Sequence, residues 1–111
     1  MNGGVGDDSL IGGEGDASLI GGEGDDILIG GIGDNLYRGG EVRDTFKIAS
    51  KGANSIKDFS ASEGDKVRLD ADNIKNIVNL DGNILINYNE DSLLAVYGST
   101  LFDVLFNIEF V

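Results

Sequence analysis

Residues 3–47 read GGVGDDSLI, GGEGDASLI, GGEGDDILI, GGIGDNLYR and GGEVRDTFK, five consecutive nine-residue units with no insertion. The shared pattern is G-G-x-G-x-D-x-U-x, with U apolar. Self-similarity at a fixed period is the signature of a solenoid. Each unit divides into two parts. Positions one to six form a turn, because glycine reaches positive φ at no steric cost. Positions seven to nine form a short strand, with position eight pointing one way and its neighbours the other. Position eight is Leu10, Leu19, Leu28, Tyr37 and Phe46, and these five are predicted to line the interior. Two turns and two strands close one coil of 18 residues. Units one, three and five therefore stack on one side, and units two and four on the other.

Stacked strands lie about 4.8 Å apart. A Ca–O bond is roughly 2.4 Å, so an ion midway between two stacked turns reaches oxygens above and below it. The position-six carboxylate and the turn carbonyls supply hard oxygen donors. Mg2+ demands shorter bonds and stricter octahedral geometry, so Ca2+ is the expected ion. On the odd side position six holds Asp8, Asp26 and Asp44, with carbonyls from Gly4, Gly6, Gly22, Gly24 and Gly40. This predicts one site between units one and three and another between units three and five. On the even side position six holds Ala17 and Asn35. Ala17 has no ligand oxygen and Asn35 only a neutral one. Asn35 with Gly13, Gly15, Gly31 and Gly33 therefore makes a depleted site, with Asp16 and Asp34 at position five as partial substitutes. Unit five departs from the pattern: Val42 replaces the third glycine, beside Arg43. A β-branched residue resists positive φ, which predicts a distorted turn there.

The charge pattern agrees with cation binding. The 111 residues carry a formal net charge of −12, and residues 1–37 hold eight acids and no base. Such a surface repels nucleic acid and anionic lipid. Fourteen of the 18 glycines fall in residues 1–40, at fixed positions and without proline, which excludes both collagen and a diffuse linker. With no Cys and no His, disulfides, thiolate metal sites and the commonest general base are excluded. H-E-x-x-H and G-x-S-x-G are absent, and the repeat accounts for the carboxylates, so no active site is expected in this chain. No apolar run approaches a membrane span, and residues 1–4 lack the character of a cleaved signal peptide.

Composition shifts at Ile48. Residues 55–59, 66–69, 84–88 and 92–97 read as strands, with turns at Glu63-Gly64-Asp65, Asp81-Gly82-Asn83 and Asn89-Glu90-Asp91. Residues 104–111 are aromatic and apolar.

The array over residues 3–47 resembles the repeats-in-toxin (RTX) family of haemolysin-type calcium-binding proteins. The resemblance implies an all-β fold: a right-handed parallel β-roll over 3–47, then an antiparallel β-rich cap over 48–111. The stretches Ile56-x-Asp58-Phe59…Gly64-Asp65-x-Val67-x-Leu69, Gly82-Asn83-x-Leu85-Ile86, Tyr97-Gly98 and Glu109-Phe110-Val111 are similar to tails of secreted members, serralysin-type metalloproteases among them. Arg68 stands where the family often has an acid, which argues against Asp65 as a further ligand. By the same resemblance residues 48–111 carry an uncleaved type I secretion signal that engages the type I secretion apparatus, and the chain is secreted. The alternative is the C-terminal part of a larger secreted enzyme or toxin whose catalytic domain lies outside this chain.

Stacked carboxylates repel by roughly 0.9 kcal/mol per pair at water's dielectric and about 3.5 kcal/mol at an effective value of 20. With one small apolar side chain per nine residues to oppose this, the roll is expected to be disordered without calcium. It is expected to fold at about 10⁻⁴–10⁻³ M calcium, the range of extracellular modules. Ile11, Ile20 and Ile29 at position nine and Ile27 and Leu36 at position seven face outward, with Ile11, Ile27 and Ile29 forming an odd-side patch. The open edge of the first coil is a place for self-association.

Overall fold

The computed structural model describes residues 1–49, 51–60, 63–70, 74–80, 83–89, 92–97, 104 and 107–110. The nine-residue period becomes alternation between two sheets. Strands β1 (Asn2–Val5), β3 (Ser18–Glu23), β5 (Leu36–Glu41) and β7 (Ala53–Ile56) stack in parallel in one sheet. Strands β2 (Ser9–Ile11), β4 (Ile27–Ile29), β6 (Thr45–Ile48) and β8 (Lys66–Leu69) stack in parallel in the other. Within the repeats the register is one coil: Ser9 pairs with Ile27 and Ile27 with Thr45, Ser18 with Leu36. The fold is a parallel β-roll, as the period requires.

Past Lys47 the sheets run on without a break. The first sheet adds β11 (Ser92–Tyr97) parallel to β7, then β10 (Asn83–Tyr88) and β9 (Ile74–Leu80) antiparallel, giving seven strands in the order β1-β3-β5-β7-β11-β10-β9. The second adds β12 (Ile108–Phe110) parallel to β8. The antiparallel part expected after the repeats is thus the β9–β10–β11 meander. The turns expected at Asp81-Gly82 and Glu90-Asp91, and the Gly98 and Val111 positions of the tail motifs, lie outside the described residues. Among the described residues, no helix is long and apolar enough to cross a membrane.

The core sits between the sheets. Leu10, Leu19, Leu28, Tyr37 and Phe46 are all buried, one per strand. Toward the C-terminus β8 and β10 contribute more: Val67 and Leu69 from β8, then Ile84, Ile86 and Tyr88 from β10. Aromatic rings join the two regimes, with Tyr37 edge-on to Phe46 at 6.1 Å and Phe46 6.4 Å from Phe59. The Tyr37 hydroxyl accepts from Gly30 N–H at 3.2 Å and donates to the Lys47 carbonyl, and the Tyr88 hydroxyl donates to the Ala49 carbonyl at 2.7 Å. The repeats hold thin leucine layers, and the thicker packing lies behind them.

Of the outward positions, Ile11, Ile20 and Ile27 are exposed, while Ile29 and Leu36 are half-buried. Ile27 and Ile29 line a shallow groove on the outer face of the second sheet with Thr45, Lys47, Lys66, Arg68 and Glu109, where Arg68 and Glu109 pair at 3.5 Å.

Candidate metal centre

The turns are built by glycine at three positions, for two reasons. Positions two and four take positive φ: 90° and 101° at Gly4 and Gly6, 99° and 114° at Gly22 and Gly24. Position one needs space. A Cβ on Gly3 would lie 2.7 Å from Asp8 Oδ2, and a Cβ on Gly21 or Gly39 would overlap the carboxylate of Asp26 or Asp44. The position-six carboxylate therefore folds back over its own turn. The carbonyls point along the stack: a Cβ on Gly22 would overlap the Gly4 oxygen, and one on Gly40 the Gly22 oxygen. Main-chain oxygens and carboxylates thus share the space between successive odd-side turns.

Position six forms a ladder. Asp8 N–H donates to Asp26 Oδ1 at 2.8 Å, and Asp26 N–H to Asp44 Oδ1 at 3.1 Å. The second oxygen of each carboxylate is left over. Oδ2 of Asp8, Asp26 and Asp44 is buried and has no hydrogen-bond partner. A buried, charged, unpartnered oxygen is costly unless something of opposite charge meets it. Burial pushes the Asp26 carboxyl above its usual range, and the charges of Asp8, Asp7 and Asp25 add to this. Burial likewise pushes Asp44 up to about 7, with Asp65, Asp26 and Asp58 contributing. These residues fit a resident divalent cation on the odd side. Among the described residues no group of three acidic side chains could hold a metal by itself.

The even side is different. Ala17 N–H donates to Asn35 Oδ1 at 2.9 Å, so the ladder is kept. The Asn35 Nδ2 donates to the carbonyls of Gly31 at 3.0 Å and Gly33 at 3.3 Å. Those are the position-two and position-four oxygens that a cation would take, and an amide already satisfies them. Asp16 and Asp34, the expected substitutes, each commit one oxygen to the N–H of the next coil, at Asp34 and Ala53. Asp7 serves Asp25 in the same way.

Unit five keeps the positive φ of its turn: Val42 holds 78°, below the 98–134° of Gly6, Gly15, Gly24 and Gly33, so the stack imposes a left-handed backbone on a residue that resists it.

Two features of the ladders escape a reading confined to strict units. The even ladder continues to Asn54, whose Oδ1 accepts from Asn35 N–H at 3.2 Å, and the odd ladder to Asp65, whose Oδ1 accepts from Asp44 N–H at 2.8 Å. Asp65 Oδ2 accepts from Ser60 N–H, and burial pushes this carboxyl to about 6. Asp58 caps the last odd turn, with Oδ1 on Gly39 N–H and Oδ2 on Gly40 N–H, both at 2.8 Å. The signal was present as Gly52-x-Asn54-x-Ile56 and Asp65-x-Val67, fragments of the same pattern displaced by insertions.

The RTX calcium-binding nonapeptide repeat (4 copies) matches residues 1–16 and 11–46. The repeat segment is an RTX calcium-binding array. Its β-roll binds Ca2+. No curated protein matches the chain. Among solved structures it is similar to the extracellular lipase LipA from Serratia marcescens, with a TM-score of 0.63 and 21% identity over 98% of this chain and 20% of the lipase chain. It is also similar to the AlgE6R3 subunit of the Azotobacter vinelandii mannuronan C5-epimerase, with a TM-score of 0.53 and 25% identity over 98% of this chain and 81% of that one. The chain thus spans one fifth of the lipase, and the likeness to it is one of fold.

Proposed function

We propose that this RTX array is a calcium-triggered folding module, with ions held on the odd side only. Oδ2 of Asp8, Asp26 and Asp44, with carbonyls of Gly4, Gly6, Gly22, Gly24 and Gly40, forms two sites. The observation that carries this is the row of three buried, unpartnered carboxylate oxygens. Calcium supplies the positive charge that lets these carboxylates stack, so ion binding adds directly to folding stability. The even-side set of Asn35, Gly13, Gly15, Gly31 and Gly33 stays vacant, because the Asn35 amide stands in for the ion. Residues 48–111 end the roll as a cap and carry the type I secretion signal. Low cytosolic calcium leaves the chain exportable, and high external calcium folds it outside. Far-ultraviolet circular dichroism during a calcium titration tests the folding claim. The β signal is expected to appear in the sub-millimolar to millimolar range and vanish with chelator. A full β signal in excess chelator rejects it. Fusing residues 48–111 to a passenger tests secretion, which fails if no type I export follows.

A second reading has one observation behind it. The chain spans 20% of the lipase it resembles, so it also fits the C-terminal portion of a larger secreted enzyme. A reading frame that continues upstream of Met1 into a catalytic domain supports this reading.

A further inference from the structure

The outer face of the second sheet changes character from strand to strand. Its order is β2-β4-β6-β8-β12, and the register sets its outward side chains in two rows. One row runs Ile11, Ile29, Lys47, Arg68, Glu109. The other runs Ser9, Ile27, Thr45, Lys66. β2 and β4 thus present isoleucine, with Ile11 and Ile27 exposed, and β6 and β8 present three exposed cations. The groove on this face straddles the boundary and holds about 340 Å³, the lower end of the range for small-molecule sites.

The basic half is costly to the fold. Lys47, Lys66 and Arg68 are three of only 8 bases in a chain with 20 acids. Lys47 and Arg68 are direct partners on adjacent strands, and like charges directly opposite destabilise a sheet. The surrounding acids leave the cluster positive. Glu109 pairs with Arg68, at 3.5 Å. Asp26, Asp44 and Asp65 precede Ile27, Thr45 and Lys66 but are buried. Asp70 and Asp72 come after Arg68 in the sequence, and Lys66 before it. Among the described residues Lys47 and Lys66 have no ion pair.

Charge complementarity selects the occupant. Unpaired cations beside exposed isoleucine fit an anion that carries an aliphatic chain. Its head lies between Lys47 and Lys66, beside Thr45, and its chain runs over Ile29 and Ile27 toward Ile11. From β6 to β2 is two strand spacings, about 10 Å, which suits a chain of medium length. A bilayer does not fit, because at net charge −12 the surface as a whole repels anionic lipid. The ligand is a free, single-chain amphiphile.

We propose that this groove binds a medium-chain aliphatic carboxylate, with Lys47 and Lys66 on the head and Ile27 and Ile29 under the chain. The site needs the folded roll but is independent of which turns hold calcium.

The probe is octanoate, below its micellar concentration, added to the 15N-labelled chain folded in calcium, with circular dichroism confirming the fold of every variant. Amide shifts are expected to move on β4, β6 and β8. Octanoate is expected to bind about tenfold more tightly than hexanoate, since each buried methylene is worth roughly fourfold. Lys47→Gln combined with Lys66→Gln is expected to weaken octanoate at least tenfold. Arg38→Gln, an exposed base on β5 of the other sheet, is expected to leave it unchanged. Lys47→Gln alone relieves the repulsion with Arg68, so its urea midpoint in calcium is not expected to fall. Shifts that bypass these three strands overturn the proposal. So do equal affinities for hexanoate and octanoate, or binding undiminished in the double variant. Capture by phosphatidylglycerol vesicles without octanoate binding overturns it in favour of a membrane surface.

Discussion

Val42 shows how strongly the stack dictates single residues. Its φ of 78° is ordinary for glycine and strained for a β-branched side chain, at a cost of about 1–3 kcal/mol. Val42→Gly removes the strain but returns backbone entropy to the unfolded chain, worth about 0.5–1 kcal/mol. The variant is expected to be more stable by about 1 kcal/mol in urea unfolding with calcium present. A less stable variant would show that the exposed valine side chain contributes more than the strain removes. Asn35 poses the complementary question. Its amide satisfies the carbonyls of Gly31 and Gly33, and Ala17 offers no oxygen. Installing Ala17→Asp together with Asn35→Asp recreates the odd-side chemistry on the even side. Calorimetric titration is expected to show one additional calcium ion per chain. Unchanged stoichiometry would mean that the two edges differ in more than position six.

At the scale of elements, legibility followed the period. The odd and even ladders were readable wherever the spacing stayed at 18 residues, and the five position-eight side chains are all buried. The next rungs are offset by 19 residues, from Asn35 to Asn54, and by 21, from Asp44 to Asp65. Those insertions hid β7 and β8 as continuations of the roll, although the strand over 66–69 was itself readable from alternation. β9 left no signal for a physical reason: from Lys75 to Asn79 both faces are exposed, so this stretch has no inward side to impose a period of two. Asp58 was visible only as part of a tail motif, because a cap across 18 or 19 residues has no local signature. It holds the N–H groups of Gly39 and Gly40, so Asp58→Ala strips both from the last odd turn. Charge-assisted bonds of this kind contribute about 1.5–3 kcal/mol each, offset here by relief of repulsion with Asp44. The expected net loss is about 1–3 kcal/mol in urea unfolding with calcium, and no loss would remove Asp58 from the turn's support.

For the whole molecule, the proposed sites set protons against calcium at Asp44, with Asp65 hydrogen-bonded beside it. Asp44 is pushed from 3.8 to about 7 and Asp65 from 3.8 to about 6, each mainly by burial. A raised acid pKa means the folded chain holds its proton more tightly than the unfolded one. Without calcium, that contribution to stability is fully present below about pH 4 and is lost as pH rises through 6 to 7. The chelated chain is therefore expected to show more β structure at pH 5 than at pH 8. With calcium the order reverses, because the ion must displace those protons, so the calcium needed for folding rises as pH falls below 7. Chelated spectra identical at the two pH values would contradict the linkage.

The most direct test of the account is anomalous diffraction from crystals grown in calcium. It predicts peaks between successive turns along the Asp8–Asp26–Asp44 row and none along the Ala17–Asn35 row. A folded roll in saturating calcium with no peak beside those three aspartates would contradict it.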